Sequence, residues 1–141
     1  MKFWDASAVV PLLVAEPASG SMLRLLKVDR AMTTWWATPL ECVSALCRRE
    51  REDALDPAAM AQALGRLEHL RRAWHEIEPS RVLRTVAERL LRTHAIRAAD
   101  ALQLAAATVA AQHEPPRLSF VCLDERLAVA AAREGFSIIS S

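Results

Sequence analysis

The sequence predicts an α/β fold: a single domain spanning 1–141, with a short central parallel sheet of about four or five strands flanked by helices. Three observations carry this. Strand-like and helix-like segments alternate along the chain, the order that builds a parallel sheet with helical crossovers. The strand-like segments are short apolar runs, the pattern of strands covered on both faces. A chain of 141 residues, with no repeat and no Gly/Ser-rich linker, holds one sizeable core and not two.

The elements follow in order. Lys2 to Asp5 reads as a short strand ending in an acid. Ser7 is placed to cap a helix running to about Glu16. Pro17 and Gly20 punctuate, and a second helix covers roughly Ala18 to Val28, with Met22, Leu23, Leu25 and Leu26 as its apolar face. Ala31 to Thr34 is a second strand. Thr38-Pro39-Leu40-Glu41 is a helix start, with a cap residue, proline in the first turn and Glu three beyond the cap. That helix runs through Val43 and Leu46 into the charged Arg48–Asp53 stretch.

Asp56-Pro57 repeats the cap-plus-proline signal, followed by Leu64, Leu67, Leu70 and Trp74 at helical spacing. Ile77 marks a short third strand. Pro79 opens a helix in which Val82, Val86 and Leu90 recur every four residues. Ala98 to about Ala111 is apolar nearly all round apart from Asp100, the signature of a buried helix. Pro115-Pro116 ends that region. Leu118 to Leu123 is a β-rich run, then come Asp124 and a helix to about Glu134. Gly135 stops it, and Phe136 to Ile139 is the last strand.

Composition removes several classes of function. The 18 Lys+Arg and 17 Asp+Glu give a net charge of +1, which excludes an acidic tail or a histone-like polycation. Nearly all the positive charge is arginine, because lysine stands only at positions 2 and 27. Cys42, Cys47 and Cys122 are odd in number and lack metal-ligand spacing, so reduced thiols in a cytoplasmic protein are expected. Asp5, Ser7 and Pro11 interrupt what would otherwise resemble a signal peptide, and no apolar run reaches the ~18 residues of a membrane span.

Four acids then share one kind of place. Asp5 and Asp124 each end a strand just before a helix; Glu41 and Asp100 each sit in the first turn of one. In an open parallel sheet, strand C-termini and helix N-termini lie on one edge, where ligands bind. Each acid alone could be a helix cap, Glu41 above all through the Thr38-x-x-Glu41 box. Asp100 fits that account least, since its neighbours Ala98, Ala99, Ala101 and Leu102 are apolar. Crowded carboxylates repel, and a hard divalent cation, Mg²⁺ or Mn²⁺, relieves the repulsion and brings hydrolytic chemistry.

With those residues in hand, the chain resembles the PIN-domain ribonucleases, in particular the VapC toxins of bacterial VapBC toxin–antitoxin pairs. The resemblance rests on FWDASAVVPLL, ECVSALCRR, RAADALQLAAA and FVCLDERLAVAAAREGF, in the family's order over nearly the whole chain. It implies a Mg²⁺- or Mn²⁺-dependent endoribonuclease held inactive by a VapB-like antitoxin, and a homodimer. Asp5 and Asp100 would be the most direct metal ligands, with Asp124 and Glu41 as further ligands or aids to the attacking water. Ser7 would support the acidic pocket. One departure stands two residues before the last acid, where many members carry Thr and this chain has Cys122, a weak donor.

Around the acids, Arg97 and Arg48 (with Arg49 and Arg51) are candidate contacts for RNA phosphates or an antitoxin, against the plainer reading of a solvated helix face. Trp36 or Trp35 would stack a base or receive an apolar antitoxin segment, with the other in the core. Gln103, one turn after Asp100, either points to the rim or is a buried amide. Trp4 reads as core, and the four histidines share no spacing with an acid. A catalytically inert binding module of the same fold is the rival from another class. A haloacid-dehalogenase-type phosphatase would want an acid where Ser7 stands, and a receiver domain would want a late lysine. Setting the four rim acids aside leaves 18 bases against 13 acids, a body of charge +5 around an anionic pocket.

Overall fold

All five strands of the sheet run parallel, in the order β3-β2-β1-β4-β5, in a computed structural model that describes residues 1–141. The strands are β1 (Lys2–Trp4), β2 (Met32–Trp35), β3 (His75–Ile77), β4 (Ser119–Val121) and β5 (Ser137–Ile139). Seven helices connect them: α1 (Ala6–Leu13), α2 (Ser19–Val28), α3 (Thr38–Arg51), α4 (Pro57–Ala73), α5 (Arg81–Thr93), α6 (Ala98–Ala110) and α7 (Glu125–Arg133). The predicted α/β class, a short central parallel sheet flanked by helices, is the one observed. No helix is long and apolar enough to cross a membrane.

Alternation along the strands divides the core in two. Phe3, Trp35, Phe120 and Cys122 point to one face, where they meet Leu83, Leu90, Leu104, Leu127 and the alanines of α6. Trp4, Met32 and Val121 point to the other, packing with Val9, Leu13, Met22, Leu46 and Leu67 from α1 to α4. Phe3 stacks on Phe120 at 5.4 Å between ring centroids, and Phe120 meets Phe136 at 5.6 Å. Ala101, Ala105, Ala106 and Ala107 are fully buried. Side chains that small let α6 lie close against its neighbours, which accounts for the apolar stretch around Asp100.

Several boundaries differ from the sequence reading, each for a local reason. Ser7 does not cap α1: Asp5 does, its side chain accepting the Ser7 N–H at 3.1 Å, so the helix begins two residues earlier. α1 also stops at Leu13, where Val14 turns extended and the Ser19 hydroxyl donates to the Val14 carbonyl and accepts the Glu16 N–H. The Thr38–Glu41 capping box does not form. Ala37 precedes α3 with no side-chain cap, and both Thr38 and Glu41 are engaged elsewhere. Ser80 rather than Pro79 starts α5, accepting the Leu83 N–H. Asp56 caps α4 as expected. A single 3-10 turn at Pro115–Arg117, not anticipated, leads into β4. Gly135 ends α7 at φ 104°, a backbone angle that glycine adopts without strain.

Candidate metal centre

The register explains how the acids meet. β1 pairs with β4 so that Trp4 lies opposite Val121, and the Asp5 N–H donates to the Val121 carbonyl at 2.9 Å. Asp5 and Asp124 therefore leave adjacent strands at one edge, and β2, on the other side of β1, delivers α3 and Glu41 to the same edge. α6 brings Asp100. An open cleft of about 840 Å³ is lined there by Glu41, Arg48, Arg97, Ala99, Asp100, Asp124, Glu125 and Arg126. Asp5 is only 5% exposed and does not line it, yet it is near enough to Asp100 and Asp124 to feel both charges.

The cap explanation holds for one oxygen of three of the four acids. Asp5 accepts from Ser7 through Oδ2, Asp124 from the Leu127 N–H at 3.0 Å through Oδ1, and Asp100 from the Arg97 N–H at 3.3 Å through Oδ2. Asp100, the acid least expected to cap, thus closes the first turn of α6. Glu41, the likeliest cap by sequence, caps nothing; its Oε2 accepts from Gln103 Nε2 at 2.6 Å. In every case the second oxygen has no protein donor. None of those second oxygens is a sealed, unpartnered atom, so each is open to an outside ligand.

No lysine, arginine or histidine forms an ion pair with any of the four. The effect on acidity is large. Burial, with added repulsion from Asp100 and Asp124, pushes Asp5 above the usual carboxyl range despite its bonds to Ser7. Burial raises Glu41 to about 7, Gln103 pulling against it and Asp5 and Asp100 adding to it. Asp100 is raised by burial and by Asp124, against the Arg97 N–H and the weaker pull of the Arg97 and Arg126 charges.

Ser7 and Cys122 occupy the gap between the two strand-end acids. The Ser7 Oγ accepts the Leu123 N–H at 2.9 Å and donates toward Cys122 Sγ at 3.8 Å. The Cys122 thiol lies 3.8 Å from Asp5 Oδ2 and 3.4 Å from the Asp124 carbonyl oxygen. Burial, with Asp5 beside it, pushes that thiol up to about 12, so it stays protonated at neutral pH and offers no thiolate.

The donor set therefore suits a hard divalent cation: four carboxylate oxygens free of protein donors, no ion-paired cation, no thiolate and no imidazole. The fit is one of kind, not of a closed cage. No three His, Cys, Asp or Glu side chains stand close enough to enclose an ion among themselves. Mg²⁺ ordinarily keeps several waters and takes only one or two carboxylates directly, which such spacing accommodates.

Of the other predicted contacts, Arg48 and Arg97 line the cleft, and both lack an ion-pair partner. Trp36 is outside its walls, 52% exposed and edge-on to the buried Trp35 at 6.4 Å. Trp4 is core, as expected. Arg126 was not anticipated. Its signal was its place two residues beyond Asp124, in the first turn of α7, where the helix start turns it to the same rim.

No family model matches the chain, and no curated protein does. Solved structures do. A toxin–antitoxin complex from Klebsiella pneumoniae contains a chain similar to this one at 13% identity and TM-score 0.64, with 91% of each chain covered. The protein PAE2754 from Pyrobaculum aerophilum is similar at 19% identity and TM-score 0.69, over 99% of this chain and 83% of that one. FitAcB from Neisseria gonorrhoeae is similar at 16% identity and TM-score 0.67, over 99% and 96%. At these identities the shared property is the fold.

Proposed function

We propose that this chain is the toxin of a VapBC-like toxin–antitoxin pair, a Mg²⁺- or Mn²⁺-dependent endoribonuclease acting at Asp5, Glu41, Asp100 and Asp124. One observation carries the reading. Four carboxylates from four elements gather on one sheet edge with no cation paired to any of them, each holding one oxygen in reserve. A fold that needed those acids only as helix caps would not also raise three of them above their ordinary range by crowding and burial. The motif resemblance and the likeness in fold to a chain of a toxin–antitoxin complex support the toxin assignment and an antitoxin partner.

When bound, the metal supplies a Lewis acid for water and phosphodiester oxygens. The chain's own residues supply the rest. Asp5 is held rigid by the Ser7 N–H, with Ser7 in turn anchored to Leu123. Glu41 keeps Oε1 free to take a proton from the attacking water, whose oxygen joins phosphorus as the ribose oxygen leaves. Arg48, Arg97 and Arg126 offer guanidinium groups to the phosphates on either side of the scissile bond.

The competing reading, an inert binding module, draws on the spacing of the acids, none of which form a closed triad. A fluorogenic RNA cleavage assay with Mg²⁺, Mn²⁺ and EDTA separates the two. Cleavage that needs metal and is lost in Asp5→Asn and Asp100→Asn supports the nuclease; absence of cleavage under every condition supports the module.

A further inference from the structure

Gln103 is fully buried on α6, one turn beyond Asp100. Its Nε2 donates to Glu41 Oε2 at 2.6 Å and to Thr38 Oγ1 at 3.1 Å. Both acceptors belong to the first turn of α3, spaced three apart, so one amide grips two residues on one helix face. Its own Oε1 is buried and has no partner. A glutamine kept only to fill the core would satisfy both ends of its amide, as buried amides normally do. The opposite orientation would set Oε1 against the Glu41 oxygen, acceptor facing acceptor. The amide is therefore oriented by Glu41, at the expense of its own carbonyl.

We infer that Gln103 is a positioning residue: it fixes the Glu41 carboxylate relative to Asp100, so that one rigid helix sets the separation of two acids that arrive from opposite layers of the fold. This rests on the metal-dependent reading above. Asp100 and Gln103 lie three apart on α6, and α6 packs in the layer of α5 and α7, whereas the body of α3 packs in the layer of α1 and α4. Without the amide, nothing else in the protein holds the Glu41 side chain: no other donor reaches either of its oxygens. Ser7 performs the parallel task for Asp5 on the other side of the rim. Asp5 and Glu41 thus have neutral hydrogen-bond donors behind them and no cation bonded to them, the arrangement that orients a ligand without neutralising it.

The test is Mn²⁺ binding by calorimetry at pH 8 on the full chain, with thermal unfolding in EDTA as the control for structure. Gln103→Met keeps nearly the same volume and removes the unpartnered carbonyl along with the donor. It is expected to unfold close to the wild-type midpoint but to bind Mn²⁺ about 10-fold more weakly, the usual scale for losing a partner behind a ligand. In a Glu41→Gln background the same change is expected to cost nothing further, because the amide acts through Glu41. A merely structural amide would lower the unfolding midpoint and leave this coupling at zero. Gln103→Asn, one methylene short, is expected to behave as Gln103→Met does and serves if the latter does not fold. Wild-type affinity in both variants, or an equal loss in both backgrounds, overturns the inference while leaving the metal site standing. No Mn²⁺ binding by the wild type overturns the metal-dependent reading and this inference together.

Discussion

Two regions of the molecule half-bury carboxylates and treat them in opposite ways. At the junction of α5 and α7, Glu134 is bonded by Arg89 Nη2 at 2.9 Å and His94 Nε2 at 2.7 Å. Burial pushes its acidity one way, the two partners pull harder the other way, and the group ends below its ordinary range. At the sheet edge, Asp5, Glu41 and Asp100 receive only neutral donors and end above theirs. The fold has arginines to hand on both sides, since Arg48, Arg97 and Arg126 line the acidic cleft. It closes an ion pair at Glu134 and leaves the rim acids without one, as the proposed entry of a ligand there would require. That contrast separates an acid that stabilises the fold from acids that the fold must accommodate.

The sharpest way to test the contrast is to neutralise one acid from each region. Asp5→Asn is expected to abolish metal-dependent RNA cleavage, by at least about 100-fold in rate, while raising the unfolding midpoint in EDTA because a buried, repelled charge is gone. Glu134→Ala is expected to do the reverse. It should lose about 1–3 kcal/mol of stability in urea unfolding, as a buried partner set is broken, with cleavage per folded molecule unchanged. Matching effects from the two substitutions would erase the distinction.

Acidity sharpens it further. Glu41 binds its proton up to about pH 7 when folded but only to about 4.5 when unfolded. The folded state therefore holds more protons between those values, and stability falls as pH rises through that window. In EDTA, moving from pH 6 to pH 8 should cost about 1 kcal/mol, a drop of about 2–4 °C in the midpoint; Asp5 and Asp100 act in the same direction. Glu134 has the opposite sign, its contribution present above its unfolded value and lost only as pH falls below it. Glu41→Gln should flatten the pH 6–8 slope, and Glu134→Gln should leave it alone. The smallest effect belongs to Cys122→Thr. A hydroxyl 3–4 Å from Asp5 is a better donor than a thiol, and Mn²⁺ affinity should shift by less than about threefold.

Much of this was legible in sequence because it depends on chain direction. A run of short apolar segments each followed by a helix start implies parallel strands, and parallel strands put Asp5, Asp124, Glu41 and Asp100 on one edge whatever the side-chain details. Trp35 buried beside an exposed Trp36 follows from alternation in the same way. The rest depends on contacts between residues far apart in the chain. Thr38 and Glu41 have the spacing of a capping box, and only Gln103, arriving from α6, shows that both are engaged across helices. Asp5 rather than Ser7 caps α1 because the Ser7 hydroxyl is taken by Leu123, 116 residues later. Local propensity offers two acceptable caps at each site, and tertiary hydrogen bonding chooses between them.

On the function proposed above, the rim acids are left unpaired for a divalent cation. Thermal unfolding of the wild type and Asp5→Asn at pH 8, titrated with Mn²⁺ from an EDTA-treated start, tests it most directly. The wild type should begin with the lower midpoint and rise with each increment of Mn²⁺, as binding to the folded state alone requires. Asp5→Asn should begin higher and respond weakly or not at all. Equal responses in the two proteins, or a wild-type midpoint indifferent to Mn²⁺, would mean that the rim acids hold no divalent cation.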